Sequence, residues 1–443
     1  MVQNAVAACM AEPRILILGA GPAGAACAMG LQRLGYPVEM VCDWRRFEAV
    51  EGVSQRVLDG LRHAGLGSAL EQAAMPARRQ VHWNGQQQWL NQECLLDRRR
   101  FDAALREDLR RAGVGLIEAR VSKLHSTAHA HQVQLNDGRV LNADFLVEAR
   151  GRQAPLTASR LRGPESVSLL SVWQGAPAEP VSAVQSLADG WAWMARLADG
   201  RCYWQISLDS SAGGLPGKAH LPEYCARRRG ESALVAEVFG AAAGQAVPVH
   251  ARSSTAILAG ACAGHNWLRI GDAAMAVDPL SGNGIFQSLS SALQAPAVIN
   301  TLLRRPGQQA LALRFHQERI EQLFLRFARI GRDFYAQEAD KAGQAFWGPR
   351  QVWPDAQPLH LAGDFRQWQV QQRPVVSHGF IEQAEVVVGP DQPLGIWHLD
   401  GVPLAPLVRG VQAGQPLQWL LHGRPAPEQA RLRGWLAAQG YPV

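Results

Sequence analysis

The sequence predicts an α/β protein in which a βαβ domain is interrupted by a β-rich domain, then resumed, and followed by a separate C-terminal module. Three observations carry this. Ile15-Leu16-Ile17-Leu18 is a short, wholly apolar run that leads through a glycine turn into a small-residue helix over 23–34 and a second strand over 38–41. That is the pattern of a buried parallel strand with its crossover helix. From about residue 169 to 208 the text changes to strands and turns, with Trp191 and Trp193 two apart and therefore on one face of a strand. A short strand over 268–270 then precedes a long helical region from about 284 to 340.

The remaining elements fill this frame. A helical stretch over 101–112 precedes strands near 114–118 and 133–135, and Phe145-Leu146-Val147 gives another buried strand. After the proline-containing stretch around 354–358, the tail from about residue 375 reads as separate. It carries strands over 384–388 and 395–399 and two helices over 404–414 and 427–439.

The bulk numbers agree. A chain of 443 residues is long enough for two or three domains. With 47% hydrophobic and 19% charged residues, it supports a large core and argues against global disorder. The net charge is +6, yet only Lys123, Lys218 and Lys341 are lysines. The arginines are scattered, with no run longer than Arg98-Arg99-Arg100 or Arg227-Arg228-Arg229, which argues against a nucleic-acid partner. The seven cysteines are odd in number and never form C-x-x-C, which points to reduced thiols rather than disulfides or a metal site. The first 13 residues lack a basic start followed by an apolar run, and no window approaches a membrane span. The expectation is a cytoplasmic protein with no membrane partner.

Gly19-Ala-Gly21-Pro-Ala-Gly24 is G-x-G-x-x-G between a strand and a helix, the Rossmann-like dinucleotide fingerprint. The first glycine makes the tight turn, the second lets backbone approach a pyrophosphate, and the third lets helix pack on sheet. The helix N-terminus supplies N–H donors and a favourable dipole. At the end of the second strand the formal position for a ribose-binding acid is Cys42, with Asp43 beside it. Asp43 serves if the strand end shifts by one; otherwise it is a solvated surface acid.

A second motif is more specific: Ile270-Gly271-Asp272-Ala-Ala-Met-Ala-Val-Asp278-Pro279-Leu-Ser281-Gly282-Asn283-Gly284-Ile285. A strand ends at Gly-Asp, a loop follows, and a glycine-rich helix start opens. The carboxylate suits a sugar-alcohol hydroxyl, and the helix start offers N–H groups and positive dipole to an electron-rich ring edge. This segment resembles the Gly-Asp motif of the FAD-dependent aromatic hydroxylases and flavin-dependent halogenases, the para-hydroxybenzoate-hydroxylase type of fold. The resemblance implies that Gly271 and Asp272 hold the ribitol chain, while Gly282, Asn283 and Gly284 face the flavin's pyrimidine edge. Ser54-Gln-Arg56-Val-Leu resembles the segment whose arginine meets the FAD phosphates. Asp97-Arg98-Arg-Arg-Phe101-Asp102 resembles the family's Asp-Arg-x-x-Phe-Asp stretch, with its arginine near the flavin.

On that basis the FAD-binding domain is discontinuous, over 1–75, 95–160 and 262–330. The β-rich substrate domain takes 76–94 and 161–261, a helical linking region takes 331–374, and a winged-helix-like module takes 375–443. Two departures qualify the family pattern. Glu148-Ala-Arg150-Gly151-Arg152 stands where hydroxylases usually carry Asp-Gly, so the electrons come either from NAD(P)H or from a separate flavin reductase. Gly190-Trp191-Ala-Trp193 resembles the start of the halogenase Trp-x-Trp-x-Ile-Pro motif, but Met194-Ala195-Arg196 replaces its end, and no lysine precedes Lys123. Halogenation is therefore disfavoured.

Fourteen tryptophans is a high count. Trp191, Trp193 and Trp204 are candidates for an aromatic substrate floor; the alternative is that they are core residues of the sheet. The stretch Phe334-Tyr335…Phe346-Trp347…Arg350 and the distinct tail are similar to the flavoproteins that help make tryptophylquinone cofactors. That resemblance implies an aromatic substrate that is a protein or peptide tryptophan, with the tail either docking that substrate or acting as a structural cap. It also implies O2 as co-substrate and oxygen transfer through a flavin C4a-hydroperoxide, a chemistry in which the protein supplies placement and dryness. Asp278 is the candidate acid–base group, against a role in capping the next turn. Pro279 shapes the loop over the flavin or simply starts that turn. A free small aromatic substrate and a non-catalytic flavoprotein assembly factor are the rival readings.

Overall fold

The computed structural model describes residues 12–211, 213–361 and 363–442; most of the leading segment read above for a signal, Cys9 included, lies outside them. Ile15–Leu18 sits inside a six-stranded sheet, parallel to Phe145–Glu148 on one side and Val38–Cys42 on the other. Gly115–Glu118 and Trp267–Arg269 extend it in parallel, and Ala263–Gly264 closes one edge antiparallel. All four residues of the central strand are buried, as a sheet covered on both faces requires. Ile15 and Ile17 point into the core shared with helices Pro22–Arg33 and Gly284–Arg304. Leu16 and Leu18 point the other way, onto the small sheet of Val121–Ser126, His131–Leu135 and Val140–Ala143.

The β-rich part is one eight-stranded sheet, larger than the sequence implied. In order it contains Val249–Ser253, Ser166–Gln174, Arg201–Asp209, Gly190–Arg196, Val181–Leu187, Ala73–Trp83, Gln86–Asp97 and Val50–Val53. The hairpin of residues 73–97 therefore runs past both expected limits of 76 and 94. Its first strand pairs in parallel with Val181–Leu187, which welds the two sequence-distant segments into one layer. Helices Leu221–Gly230 and Ala233–Phe239 cover one face over Trp173, Met194 and Trp204. The other face carries Trp191 and Trp193 and turns towards the dinucleotide domain.

The helical region expected from 284 to 340 is two helices, Gly284–Arg304 and Gln309–Ala336, broken at a short turn over Pro306–Gln308. The second helix, with Trp347–Val352, delivers Tyr335, Phe346 and Trp347 against Trp191 and Trp83. The tail has its own core around Trp368, Val387, Leu404 and Leu432. It is built from a meander of Gln369–Ser377, Phe380–Gly389 and Gln392–Ile396 followed by helices Leu404–Gln412, Leu417–Leu421 and Ala426–Ala438. It docks on the dinucleotide domain through Asn300 Nδ2 donating to Gly379 O (2.8 Å), Ile381 N donating to Thr301 Oγ1 (2.8 Å) and an Arg305–Glu382 ion pair (2.8 Å). The six described cysteines are free and buried. No described helix is long and apolar enough to cross a membrane.

Candidate active site

The first glycine turn is shaped by close approach. Gly19 has φ +107°, and a Cβ there would stand 2.4 Å from Ala149 O; a Cβ on Gly24 would stand 1.9 Å from Gly19 O. Both positions exclude any larger residue. Gly21 differs: it is the N-cap of Pro22–Arg33, makes no side-chain cap, and its Cβ direction is open. The turn thus presents a free helix terminus to an open cleft, which suits a pyrophosphate.

The second motif reaches the same place from the other end of the chain. Gly271, at φ +58°, lies so close to Ala23 that an added Cβ would stand 2.7 Å from the Ala23 Cβ. Asp272 accepts a 3.4 Å hydrogen bond from Ser288 Oγ and lies 3.7 Å from Arg152 Nε. Burial pushes its carboxyl up, with Arg152 opposing. Arg152 itself is fixed by donating to Thr255 O (2.6 Å) and Val277 O (2.9 Å). Gly282 has φ +64°, and the Cβ directions of Gly282 and Gly284 are both open. Asn283 caps the long helix without a side-chain cap bond. Among the described residues, Ser281 Oγ in the loop and both amide atoms of Gln287 on the first turn of the helix that follows are buried without a partner, polar atoms that a ring edge rich in acceptors and donors would satisfy.

The other predicted cofactor residues are placed unequally. Asp43 does stand just past the strand end, but its carboxylate is paired with Arg120 (3.0 Å) and Arg46 (3.5 Å) rather than free. Cys42, the formal position, is buried, and its thiol is pushed up to about 11, chiefly by that burial. Arg56 is exposed on the first turn of Gln55–Ala64, its guanidinium 5.9 Å from the Phe286 ring centre. Arg98 is buried, held by Asp102 (2.8 Å) and Glu51. Burial works against its charge, but the two carboxylates more than compensate. A cavity of about 470 Å³ lies beside this cluster, lined by Trp44, Arg45, Phe47, Asp102 and Arg106 among others. Glu148, in the departure from the Asp-Gly pattern, is buried and locked by Arg150 Nε at 3.0 Å.

Above the cofactor motifs lies the aromatic face. Trp191 is buried and Trp193 half-buried, packed with Trp83, Tyr335, Phe346, Trp347 and Leu280. Trp204 does not belong here. The register pairs Met194 with Trp204 and Trp193 with Gln205, so Trp204 projects from the opposite face into the helical core beneath Arg229. Asp278 accepts from Leu280 N (2.9 Å), the expected cap, and also from the Tyr335 hydroxyl at 3.1 and 3.2 Å. Burial pushes the Asp278 carboxyl up. Pro279 begins the short turn that follows and leads into Leu280. Sequence reasoning did not single out Tyr335 as a site residue, although it lies in a quoted aromatic stretch; only its contact with Asp278 gives it a role.

Two glycine cradles that a side chain would fill, a half-buried carboxylate and unpartnered polar atoms on the second loop and its helix fit FAD, and the aromatic cluster meets that loop through Leu280 and Asp278. The class so defined is that of the FAD-dependent aromatic hydroxylases and halogenases. Residues 63–380 match the tryptophan halogenase family, well over half of the chain, and the chain belongs to that family. Among solved structures it is similar to the peptidyl tryptophan dihydroxylase QhpG, described as essential for tryptophylquinone cofactor biogenesis. The identity is 68%, with 98% of this chain and 100% of that one covered and a TM-score of 0.87. It shares its fold with the flavin-dependent halogenase CmlS at 16% identity, 97% and 93% coverage and a TM-score of 0.74. A tryptophan 2-halogenase of Chondromyces crocatus is 24% identical over 377 residues, 76% of this chain and 70% of that one.

Proposed function

We propose that this protein is an FAD-dependent monooxygenase that hydroxylates a tryptophan within a polypeptide, inserting two oxygens on the way to a tryptophylquinone. The observation that carries this is the 68% identity with QhpG along the full length of that chain. The site supports it. Gly19, Gly21 and Gly24 with the terminus of Pro22–Arg33 hold the pyrophosphate, Asp272 holds the ribitol chain, and Gly282, Asn283 and Gly284 meet the pyrimidine edge. Arg56 supplies positive charge along the cofactor, Arg98 with its carboxylate partners Glu51 and Asp102 stands near the flavin, and Asp43 turns from Arg120 to the ribose. When bound and reduced, FAD supplies two electrons and activates O2.

In each round one oxygen atom replaces a ring hydrogen and the other leaves as water, with two electrons and two protons taken up; the electrons come from NAD(P)H or a flavin reductase. The work of the chain is to place the indole, keep water away and receive the ring proton. Half-buried Trp193, backed by the buried Trp191 cluster, presents the apolar wall where a flat ring stacks. Asp278, partly exposed at the end of the Gly-Asp loop, accepts the proton released from the oxygen-bearing carbon. Pro279 and Leu280 hold it there.

The test is the mass of tryptophan-containing candidates, free and within a polypeptide encoded beside this protein, after aerobic incubation with enzyme and reduced FAD in chloride buffer. Two added oxygens on the polypeptide alone are expected. The same gain on free tryptophan or a phenol makes it a small-molecule hydroxylase, and a chlorinated product a halogenase. No change despite tight FAD binding makes it an assembly factor.

A further inference from the structure

The Asp278 carboxylate ends a hydrogen-bonded row, buried at Trp191 and Tyr335 and partly exposed at Asp278, that crosses three parts of the chain. Trp191 Nε1, on the β-sheet, donates to the Tyr335 hydroxyl at 3.1 Å, and that hydroxyl reaches both Asp278 oxygens at 3.1 and 3.2 Å. The direction of the row is fixed by chemistry. An indole N–H only donates, so the Tyr335 oxygen receives it through a lone pair and must direct its own proton to Asp278. Burial and the neighbouring Asp278 charge both push the Tyr335 phenol up, so it stays a donor.

We propose that Tyr335 is a positioning residue: oriented by Trp191, it clamps the Asp278 carboxylate in one rotamer and favours its ionised, proton-accepting form. This rests on the reading of Asp278 as the group that takes the ring proton. In that step the ring C–H bond breaks, its electron pair returns to the ring, and the proton forms an O–H bond on Asp278 before passing to water. The clamp leaves one carboxylate oxygen less engaged than the other, because Leu280 N is bound to Oδ1 alone, at 2.9 Å. The charged groups that act on Asp278 are Arg350 on Trp347–Val352 and Arg152 after Phe145–Glu148. Neither donates a hydrogen bond to it. Tyr335 is therefore the side-chain donor on which the carboxylate depends. The aromatic packing around Tyr335, with Phe346 at 5.9 Å and Trp347 at 5.8 Å, denies it an alternative rotamer.

The experiment is an infrared pH titration of the FAD-loaded protein, with the Asp278 carboxyl band identified by its loss in Asp278→Asn. A hydrogen bond to a charged group contributes about 1.5–3 kcal/mol, so Tyr335→Phe should raise the Asp278 midpoint by about one to two pH units. Trp191→Phe, which frees the hydroxyl to turn, should move it the same way by less. A role in packing alone lowers melting temperature and FAD content without moving the midpoint. An unmoved midpoint in folded Tyr335→Phe overturns the proposal; if that variant does not fold, an unmoved midpoint in Trp191→Phe does so. Undiminished hydroxylation by Asp278→Asn sinks the proton-accepting role instead, and so separates the two failures.

Discussion

Gly21→Glu separates cofactor binding from folding more cleanly than any other change in the fingerprint. The backbone there is extended, at φ −71° and ψ −176°, so a non-glycine residue carries no strain, and the Cβ direction is open. The apo protein should therefore fold and melt as the parent does. The new carboxylate, however, projects into the cleft in front of the terminus of Pro22–Arg33, where the pyrophosphate belongs. Two like charges about 4 Å apart at an effective dielectric near 20 repel by about 4 kcal/mol. That corresponds to roughly a thousandfold loss of FAD affinity. Titration of apo protein with FAD, followed by flavin fluorescence, measures it, and a thermal melt of the apo form controls for folding. Affinity within about threefold of the parent, with an unchanged melt, would refute the placement of the pyrophosphate. Gly24→Ala gives the contrast: its Cβ would stand 1.9 Å from Gly19 O, so both melt and binding should fall.

Three further outcomes follow from the packing and charges. Because burial raises the Asp278 carboxyl, the folded chain holds that proton more tightly than the unfolded one, and stability is lost as pH rises through the folded value; apo Asp278→Asn should melt higher than the parent at pH 8, with the gap closing towards pH 4, and a lower melt at pH 8 would mean the carboxylate's hydrogen bonds outweigh its burial. Arg98→Met removes the cation that Glu51 and Asp102 share, but Arg45 stays 3.6 Å from Asp102 and Glu51 is partly exposed, so urea unfolding should show a loss of roughly 1–3 kcal/mol, together with weaker FAD binding. Trp347 is fully buried and donates to Leu187 O (3.1 Å) and Ala188 O (3.0 Å); Trp347→Ala should cost about 3–5 kcal/mol by the same measurement, and a loss under 1 kcal/mol would show that the aromatic cluster does not depend on it.

The parts of this molecule legible in the sequence are those whose geometry is local. The turn at Gly19–Gly24 depends on φ angles and approaches set within a few residues, so its glycines announce it; the Gly-Asp loop and its helix start announce themselves in the same way. Alternation along one strand placed Trp191 and Trp193 on a common face. It was silent on whether Trp204, in the next strand, shares that face, because this depends on the register that sets Met194 opposite Trp204. The same limit hid the parallel pairing of residues 73–83 with 181–187, and the ion pair that engages Asp43 through Arg120. Asp278 was legible as a carboxylate beside a flavin motif. Its partner Tyr335, and Trp191 that donates to Tyr335 in turn, lie 57 and 87 residues away from it along the chain, on a helix and a strand brought together by packing. The sequence alone determined which residues can make the cofactor cradle, because backbone geometry decides that. Only the tertiary structure decided which groups share a proton across it, because a hydrogen bond needs atoms within about 3 Å and nothing in chain spacing sets that distance.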